Sequence, residues 1–360
     1  MKVTAVVGAR PNFVKIAAIM AETGKYPDLE CRLIHTGQHY DAAMSERFFR
    51  ELEIPAPDVN LGVGPGSSAA QTGEVMVRLA DALTRERPDL VLVVGDVNST
   101  VAAALVAVKM GIPVAHVEAG LRSFDRSMPE EINRIVTDAV SDYCFTTEPA
   151  AGENLLREGV PASRIFHVGN VMIDTLLRFR DRAASSAALE RLGVARGGYA
   201  VLTLHRPSNV DDASALQRLL EALLPIQRDV PVIFPVHPRT RQRLVELPAA
   251  VAAGLRLTEP LGYLDFLQLM DNAAAVLTDS GGIQEETTAL GVPCLTLRTT
   301  TERPITVTEG TNRIVGVDPA AILGAWREIR AGAWPEGRVP ELWDGKAAER
   351  IVKVLLGAAP

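Results

Sequence analysis

Two acidic residues stand just past short apolar runs, Asp96 in VLVVGDVNST and Glu118 in PVAHVEAG, and a third, Glu130, follows the proline that opens the helical pattern MPEEINR. At the carboxyl ends of parallel strands, such carboxylates suit acid/base work on a neutral sugar carbon. Each also has a simpler reading. Asp96 could be a helix N-cap, Glu118 could pair with Arg122, and Glu130 with Glu131 are common first-turn acids. A second group lies in AAAVLTDSGGIQEE, from Ala273 to Glu286. Here Ala275 to Leu277 suits a buried strand, Ser280 can cap the next helix, and Gly281 and Gly282 let backbone N–H groups approach a phosphate. Glu286, one to two turns further on, is suited to accept hydrogen bonds from ribose hydroxyls. Together these residues suggest a nucleotide diphosphate; a strand, glycine turn and helix with no ligand is the alternative.

Local cations are available for such an anion: Arg10 and Lys15 in GARPNFVK, His205 and Arg206 in LHRPSN, and Arg303 in TERP. Pro11 belongs in the first turn of a helix, so Arg10 and Lys15 can reach one side of it; two solvated cations at a plain turn is the alternative. A lone histidine is more often structural, and His237 in PVHP ranks below His205. His35 and His39 have a spacing that could suggest metal ligands, but Gly37 lies between them and no acidic third ligand is evident, so no metal is assigned.

The elements that must carry these residues follow from the apolar runs. Val3 to Val7, Cys31 to His35, Leu90 to Val94, Val114 to Val117, Tyr143 to Thr146 and Ile165 to Val168 read as strands of one series, with helical periodicity over Ala70 to Arg87 and Thr100 to Met110. That alternation is the mark of crossover helices covering a parallel sheet. After the Arg-, Ala- and Ser-rich stretch Arg178 to Ala188 and the Gly197-Gly198 pair, a second series begins, with strands at Tyr199 to Leu204, Val232 to Pro235, Leu255 to Leu257, Ala273 to Thr278 and Cys294 to Leu297. The reading is α/β, with two Rossmann-like domains facing a cleft: 1–172 with a terminal helix at 345–360 packing back, and 173–344.

A chain of 360 residues calls for two domains rather than one core. Its formal net charge of −7 argues against nucleic acid as a partner, which needs clustered excess Lys and Arg. No stretch approaches the roughly 18 apolar residues of a membrane span. The opening MKVTAVVGARPNFVK lacks the apolar core and cleavage site of a signal peptide. Cys31, Cys144 and Cys294 are widely spaced and odd in number, so neither a disulfide framework nor a metal knuckle is indicated, and a cytoplasmic location is expected.

Taken with HVEAGLRS, PEEINR and TDSGGIQEE, these motifs resemble, in order and spacing over nearly the whole chain, those of the non-hydrolysing UDP-N-acetylglucosamine 2-epimerases. The resemblance implies a glycosyltransferase-B-like fold, a homodimer, no nicotinamide or metal cofactor, and a UDP-sugar substrate. It further implies that Arg10, Lys15, His205, Ser280, Gly281, Gly282, Glu286 and Arg303 bind nucleotide and diphosphate, with Leu261 and Phe266 at the uracil. By the same pattern Asp96, Glu118 and Glu130 are catalytic, joined by His205 at the departing diphosphate. The implied reaction is reversible C2 epimerisation to UDP-N-acetylmannosamine through 2-acetamidoglucal. Two departures stand out. Some relatives are activated by a second UDP-sugar through a Gln-His-Arg loop and a later basic residue, whereas this chain has Gln38-His39-Tyr40-Asp41 and, later, Gly62 to Gly66 without a cation. The HTGQHYD and NLGVG segments are similar to relatives acting on diacetamido uronic acid nucleotides, which is the alternative substrate; a glycosyltransferase on the same fold, or a binding protein without catalysis, are further alternatives.

Overall fold

The computed structural model describes residues 1–38, 42–236, 241, 244 and 255–357, so His39, Tyr40, Asp41 and His237 lie outside the described residues. Contacts along the chain divide it into a first unit, Met1–Arg178 with Glu341–Pro360, and a second, Phe179–Pro340. The first holds the parallel strands β1 (Lys2–Val7), β2 (Glu30–His35), β3 (Val59–Asn60), β4 (Leu90–Val94), β5 (Val114–Val117), β6 (Tyr143–Thr146) and β7 (Ile165–His167). The second holds β8 (Ala200–Thr203), β9 (Val232–Pro235), β10 (Leu255–Thr258), β11 (Ala275–Thr278), β12 (Cys294–Thr296) and β13 (Asn312–Ile314). β4, LVLVV, is buried along its whole length, as a central parallel strand covered on both faces must be.

The spatial orders are β3-β2-β1-β4-β5-β6-β7 and β10-β9-β8-β11-β12-β13. In each sheet the order reverses once, between β1 and β4 and between β8 and β11. Open α/β sheets bind ligands beyond the strand ends at that switch point. The loops there are Gly8–Arg10 and Gly95–Asp96 in the first sheet, and Leu204–Arg206 and Asp279–Gly282 in the second. Register sharpens the placement. Val94 pairs with Val117, so Glu118 and Asp96 leave adjacent strands one residue apart; Thr203 pairs with Thr278, so His205 and Ser280 are level.

Two edge strands have no counterpart in the apolar runs. β3 is Val-Asn and β13 is Asn-Arg-Ile, too short and too polar for a hydrophobic signal, and both are recruited by pairing with a formed neighbour. The Arg178 to Ala188 stretch is not an irregular separator: the helix Val171–Ala184 runs straight through the boundary between the units. Two of its arginines make ion pairs, Arg178 with Glu53 at 2.7 Å and Arg180 with Asp271 at 2.9 Å.

The helix Ala347–Leu355 buries Ala347, Ala348, Ile351, Val352 and Leu355 and packs on the helix Arg10–Thr23. Asp174 accepts the backbone N–H of Ala348 at 2.7 Å, a carboxylate at a helix N-terminus. His35, one of the paired histidines of the sequence, is a core residue packed on Phe13 and Phe49. Burial lowers its pKa, with Asn60 opposing. The three cysteines are free thiols; burial pushes Cys144 and Cys294 up to about 12, so neither is a thiolate nucleophile at neutral pH. Among the described residues no helix is long and apolar enough to cross a membrane.

Candidate active site

In the first unit the turns after β1, β4 and β5 meet. Asn12 links two of them, its side-chain oxygen accepting the N–H groups of Gly8 and Ala9 while its amide donates to the Val94 carbonyl at 2.9 Å. A methyl group at Gly8 would fall 2.0 Å from Ser99 Oγ, so the close approach requires glycine. Lys15 and Glu118 are both buried and form an ion pair. Arg134, also buried, pairs with Asp96, lies 4.0 Å from the other Glu118 oxygen and 3.7 Å from Glu131. Lys15, Glu118, Arg134 and Asp96 thus alternate in charge along one run of ion pairs. Glu118 adopts φ +73, a left-handed backbone that is strained for a residue with a Cβ.

The simpler readings fail for Asp96 and Glu118 but hold for Glu130 and Glu131, which are first-turn acids of their helix. Val97, not Asp96, is the N-cap of the helix Asn98–Lys109. Arg122 does not take Glu118; it pairs with Asp138 at 2.7 Å and Glu158 at 2.6 Å. Glu130 lies half-buried in the first turn of the helix Pro129–Val140, and Arg10 half-buried at the start of its own helix. The neighbour, Glu131, is tied into the network. Its carboxylate accepts from Ser123 N at 2.8 Å, Ser123 Oγ at 3.0 Å and Phe124 N at 3.0 Å.

In the second unit Asp279, fully buried, organises the turn after β8. It accepts the N–H groups of His205 and Arg206, the Asn209 amide, and His205 Nδ1 at 2.8 Å. Burial would raise the Asp279 pKa, but His205, Asn209 and these amides hold it low. With Nδ1 so engaged, the half-exposed imidazole turns Nε2 away from Asp279. Ser280 stands at the N-cap position of the helix Gly281–Leu290 but makes no side-chain capping bond, which corrects the expected cap. The Ser280 backbone N–H is held by Thr278 Oγ1 at 2.9 Å.

Arg303 closes over this turn. A methyl group at Gly281 would lie 2.3 Å from one of its guanidinium nitrogens, and the guanidinium is braced by Glu285 at 3.0 Å and Glu302 at 3.4 Å. Glu302 also gathers Arg298 at 2.7 Å and Arg206 at 3.7 Å. Its burial favours the neutral acid, yet Arg298, Arg303 and Arg206 keep it well below the usual carboxylate range. A helix N-terminus with small residues beneath a held guanidinium has the chemistry to accept a polyanion.

Glu286 faces a different environment. It is buried, and the Tyr263 hydroxyl donates to it at 3.3 Å. Tyr263 lies on the helix Tyr263–Asp271, which packs on Gly281–Leu290 and also carries Phe266, with Leu261 just before it; both are half-buried. Burial pushes the Glu286 carboxyl up to about 8, with Tyr263 opposing and Glu285 adding to it. The folded state therefore keeps a proton that the unfolded chain releases above the ordinary 4.5. The associated stability is complete below that value and lost as pH rises to about 8. We expect Glu286→Gln to flatten this dependence: between about pH 6.5 and about pH 8.5 the parent's urea midpoint falls and the variant's falls less. Parallel curves would refute it. Asp174, lifted by burial to about 6, shares the sign and has largely titrated below this interval.

Arg134, Asn12, Asp279 and Glu302 have no assigned role in the sequence reading. Arg134 and Glu302 sit inside the quoted motifs PEEINR and TERP, and Asp279 heads DSGG, so the signal was position within a motif rather than residue type.

The family model described as UDP-N-acetylglucosamine 2-epimerase matches residues 21–356. A UDP-N-acetylglucosamine 2-epimerase from Methanocaldococcus jannaschii is 42% identical over 364 residues, covering 99% of each chain. A UDP-2,3-diacetamido-2,3-dideoxy-D-glucuronate 2-epimerase from Pseudomonas aeruginosa is 44% identical over 359 residues, again covering 99% of each. The crystal structure of the Methanocaldococcus jannaschii enzyme, in complex with UDP-GlcNAc and UDP, matches with a TM-score of 0.91 at 41% identity, covering 99% of this chain and 100% of that one.

Proposed function

We propose, for a chain that belongs to the UDP-N-acetylglucosamine 2-epimerase family, the reversible inversion of C2 that converts UDP-N-acetylglucosamine to UDP-N-acetylmannosamine. The fold class is the two-sheet, glycosyltransferase-B-like α/β architecture of that family, and the enzyme is an isomerase. The observation that carries the reading is the Asp96–Arg134 and Glu118–Lys15 set, two carboxylates kept adjacent by two buried cations.

The C2 proton of a pyranose has no neighbouring carbonyl, so it must first be made acidic. Cleavage of the C1–O bond sends its electron pair to the β-phosphate oxygen and leaves an oxocarbenium-like C1. A carboxylate then takes the C2 proton, a C1–C2 double bond forms, and 2-acetamidoglucal remains with UDP. Protonation of C2 from the opposite face and return of the phosphate oxygen to C1 give the epimer, with atoms and electrons conserved. We assign Asp96 and Glu118 as the acid/base pair, with Glu130 beside them. Arg10, Lys15, His205, Arg303 and the Ser280, Gly281 and Gly282 amides hold the departing diphosphate, a leading source of catalysis where charge develops. Glu286 takes the ribose hydroxyls, and Leu261 and Phe266 the uracil.

The test is incubation with UDP-N-acetylglucosamine in deuterium oxide, followed by NMR. Deuterium at C2 of both epimers is the expected result, and turnover without that label would sink the reading. The likeness to the Pseudomonas aeruginosa protein favours a second substrate, a UDP-linked diacetamido uronic acid, so the same exchange is to be run on it. Sugar transfer to an acceptor, with no epimer in its absence, would instead point to a glycosyltransferase. The further reading is a cytoplasmic homodimer making surface-polysaccharide precursors, which light scattering tests for the dimer.

A further inference from the structure

One buried carboxylate reaches both turns that carry the acid/base pair. Asp138, on the inner face of the helix Pro129–Val140, accepts with Oδ2 from the Gly120 N–H at 3.0 Å, two residues beyond Glu118. Its Oδ1 lies 2.6 Å from His116 Nδ1, and the other ring nitrogen of His116 is 2.8 Å from the carbonyl oxygen of Gly95, the residue before Asp96. His116 and Asp138 are both buried, and Arg122 completes the set by pairing with Asp138 at 2.7 Å while forking on Glu158 at 2.8 and 2.6 Å. The backbone held this way is left-handed at each critical point: Gly95 at φ +69, Glu118 at +73 and Gly120 at +81. At Gly120 a methyl group would strike the Ala151 carbonyl oxygen at 2.3 Å, and the Gly120 carbonyl is itself held by Asn154 at 2.9 Å.

The strands do not need this device. β4 and β5 are already in register through their own ladder, down to Gly95 N–H on the Val117 carbonyl at 3.0 Å. What the ladder leaves unset is the course of the chain after it ends, where Asp96 and Glu118 project. Strained backbone persists only where its surroundings over-determine it.

We propose that Asp138, acting through His116 on the Gly95 carbonyl and directly on the Gly120 amide, is a positioning residue that fixes the separation of Asp96 and Glu118 for the C2 proton transfers. The proposal rests on the epimerase reading above. Misplacing a reacting group by about 1 Å costs roughly 100-fold in rate while leaving binding nearly intact.

The experiment uses the full chain with Asp138→Asn and, separately, His116→Gln. Three quantities are read with UDP-N-acetylglucosamine: kcat, KM, and the isotope effect on kcat when C2 carries deuterium. The expected result is a kcat lower by roughly 100-fold for Asp138→Asn and by about tenfold for His116→Gln, with KM and the UDP Kd changed by less than about threefold. The isotope effect rises in both variants, because a badly placed base makes C–H cleavage slower relative to the other steps. A merely structural role predicts otherwise: fewer folded molecules lower kcat and UDP-binding stoichiometry together and leave the isotope effect at the parent value. That outcome, or kcat within twofold of the parent in a folded variant, overturns the proposal. If Asp138→Asn does not fold, His116→Gln, which removes the imidazole bridge and leaves the Asp138 carboxylate in place, decides alone. Parent enzyme that fails to exchange C2 deuterium would refute the epimerase reading instead, before any variant is compared.

Discussion

Glu118→Gln is expected to lower kcat by roughly 1000-fold, within the range that a positioned general acid or base contributes. The isosteric amide keeps the shape of the turn but can no longer take a proton. UDP should still bind, with a Kd within about threefold of the parent. Loss of the charge also leaves Lys15 buried beside a neutral partner, and breaking a buried ion pair from one side costs about 3–5 kcal/mol of stability. The stability effect is isolated in a double variant. Glu118→Gln with Lys15→Met removes the stranded cation and should melt above the single variant. Lys15 is itself assigned to the diphosphate, so C2 exchange is read in folded Glu118→Gln alone, and exchange there at the parent rate would show that Glu118 serves the fold rather than the chemistry.

Arg303→Met should weaken UDP binding by roughly 10- to 100-fold, the worth of one or two charge-assisted hydrogen bonds to a phosphate. The guanidinium is braced by Glu285 and Glu302 over Gly281, so it is ordered before any ligand arrives. Removing it strips those two buried carboxylates of a shared cation. Glu302 keeps Arg298 and Arg206 and remains ionised, but its pKa rises towards the ordinary range. Glu302 stabilises the fold above its unfolded pKa and loses that contribution as pH falls. The stability deficit of Arg303→Met is accordingly larger near neutral pH than below about pH 4. Arg303→Lys restores charge without the planar fork and should recover only part of the affinity. Calorimetry with UDP and paired urea melts check both statements, and a variant that binds UDP like the parent would remove Arg303 from the phosphate site.

The positions of the chemistry could be read from the sequence because each candidate follows an apolar run. Asp96 follows LVLVV, Glu118 follows VAHV, and Ser280 follows AVLT, and in a parallel sheet the end of such a run is where a ligand sits. What could not be read is who holds whom. Arg122 lies only four residues from Glu118, but the partner of Glu118 is Lys15, brought over from the first helix by the β1–β4–β5 order. Ser280 is a residue type suited to capping and stands at the N-cap position, yet its side chain makes no capping bond. Asp279 heads DSGG, and its carboxylate is spent on the backbone of the turn after β8. For Glu118 and Asp279 local propensity was correct about the element and silent about partners 70 or more residues distant along the chain. The edge strands β3 and β13 fail for the same reason, being strands only because a neighbour is one.

The helix Ala347–Leu355 closes the first unit, although the whole of Phe179–Pro340 precedes it in the chain. During synthesis, therefore, the helix Arg10–Thr23 waits with an apolar face uncovered, and Asp174 without the amides it caps, while the entire second unit emerges. The second unit is continuous and can finish folding as it leaves the ribosome, whereas the unit begun first is completed last. Its nascent form presents greasy surface for the time needed to translate more than 160 residues, and surface exposed in this way favours aggregation.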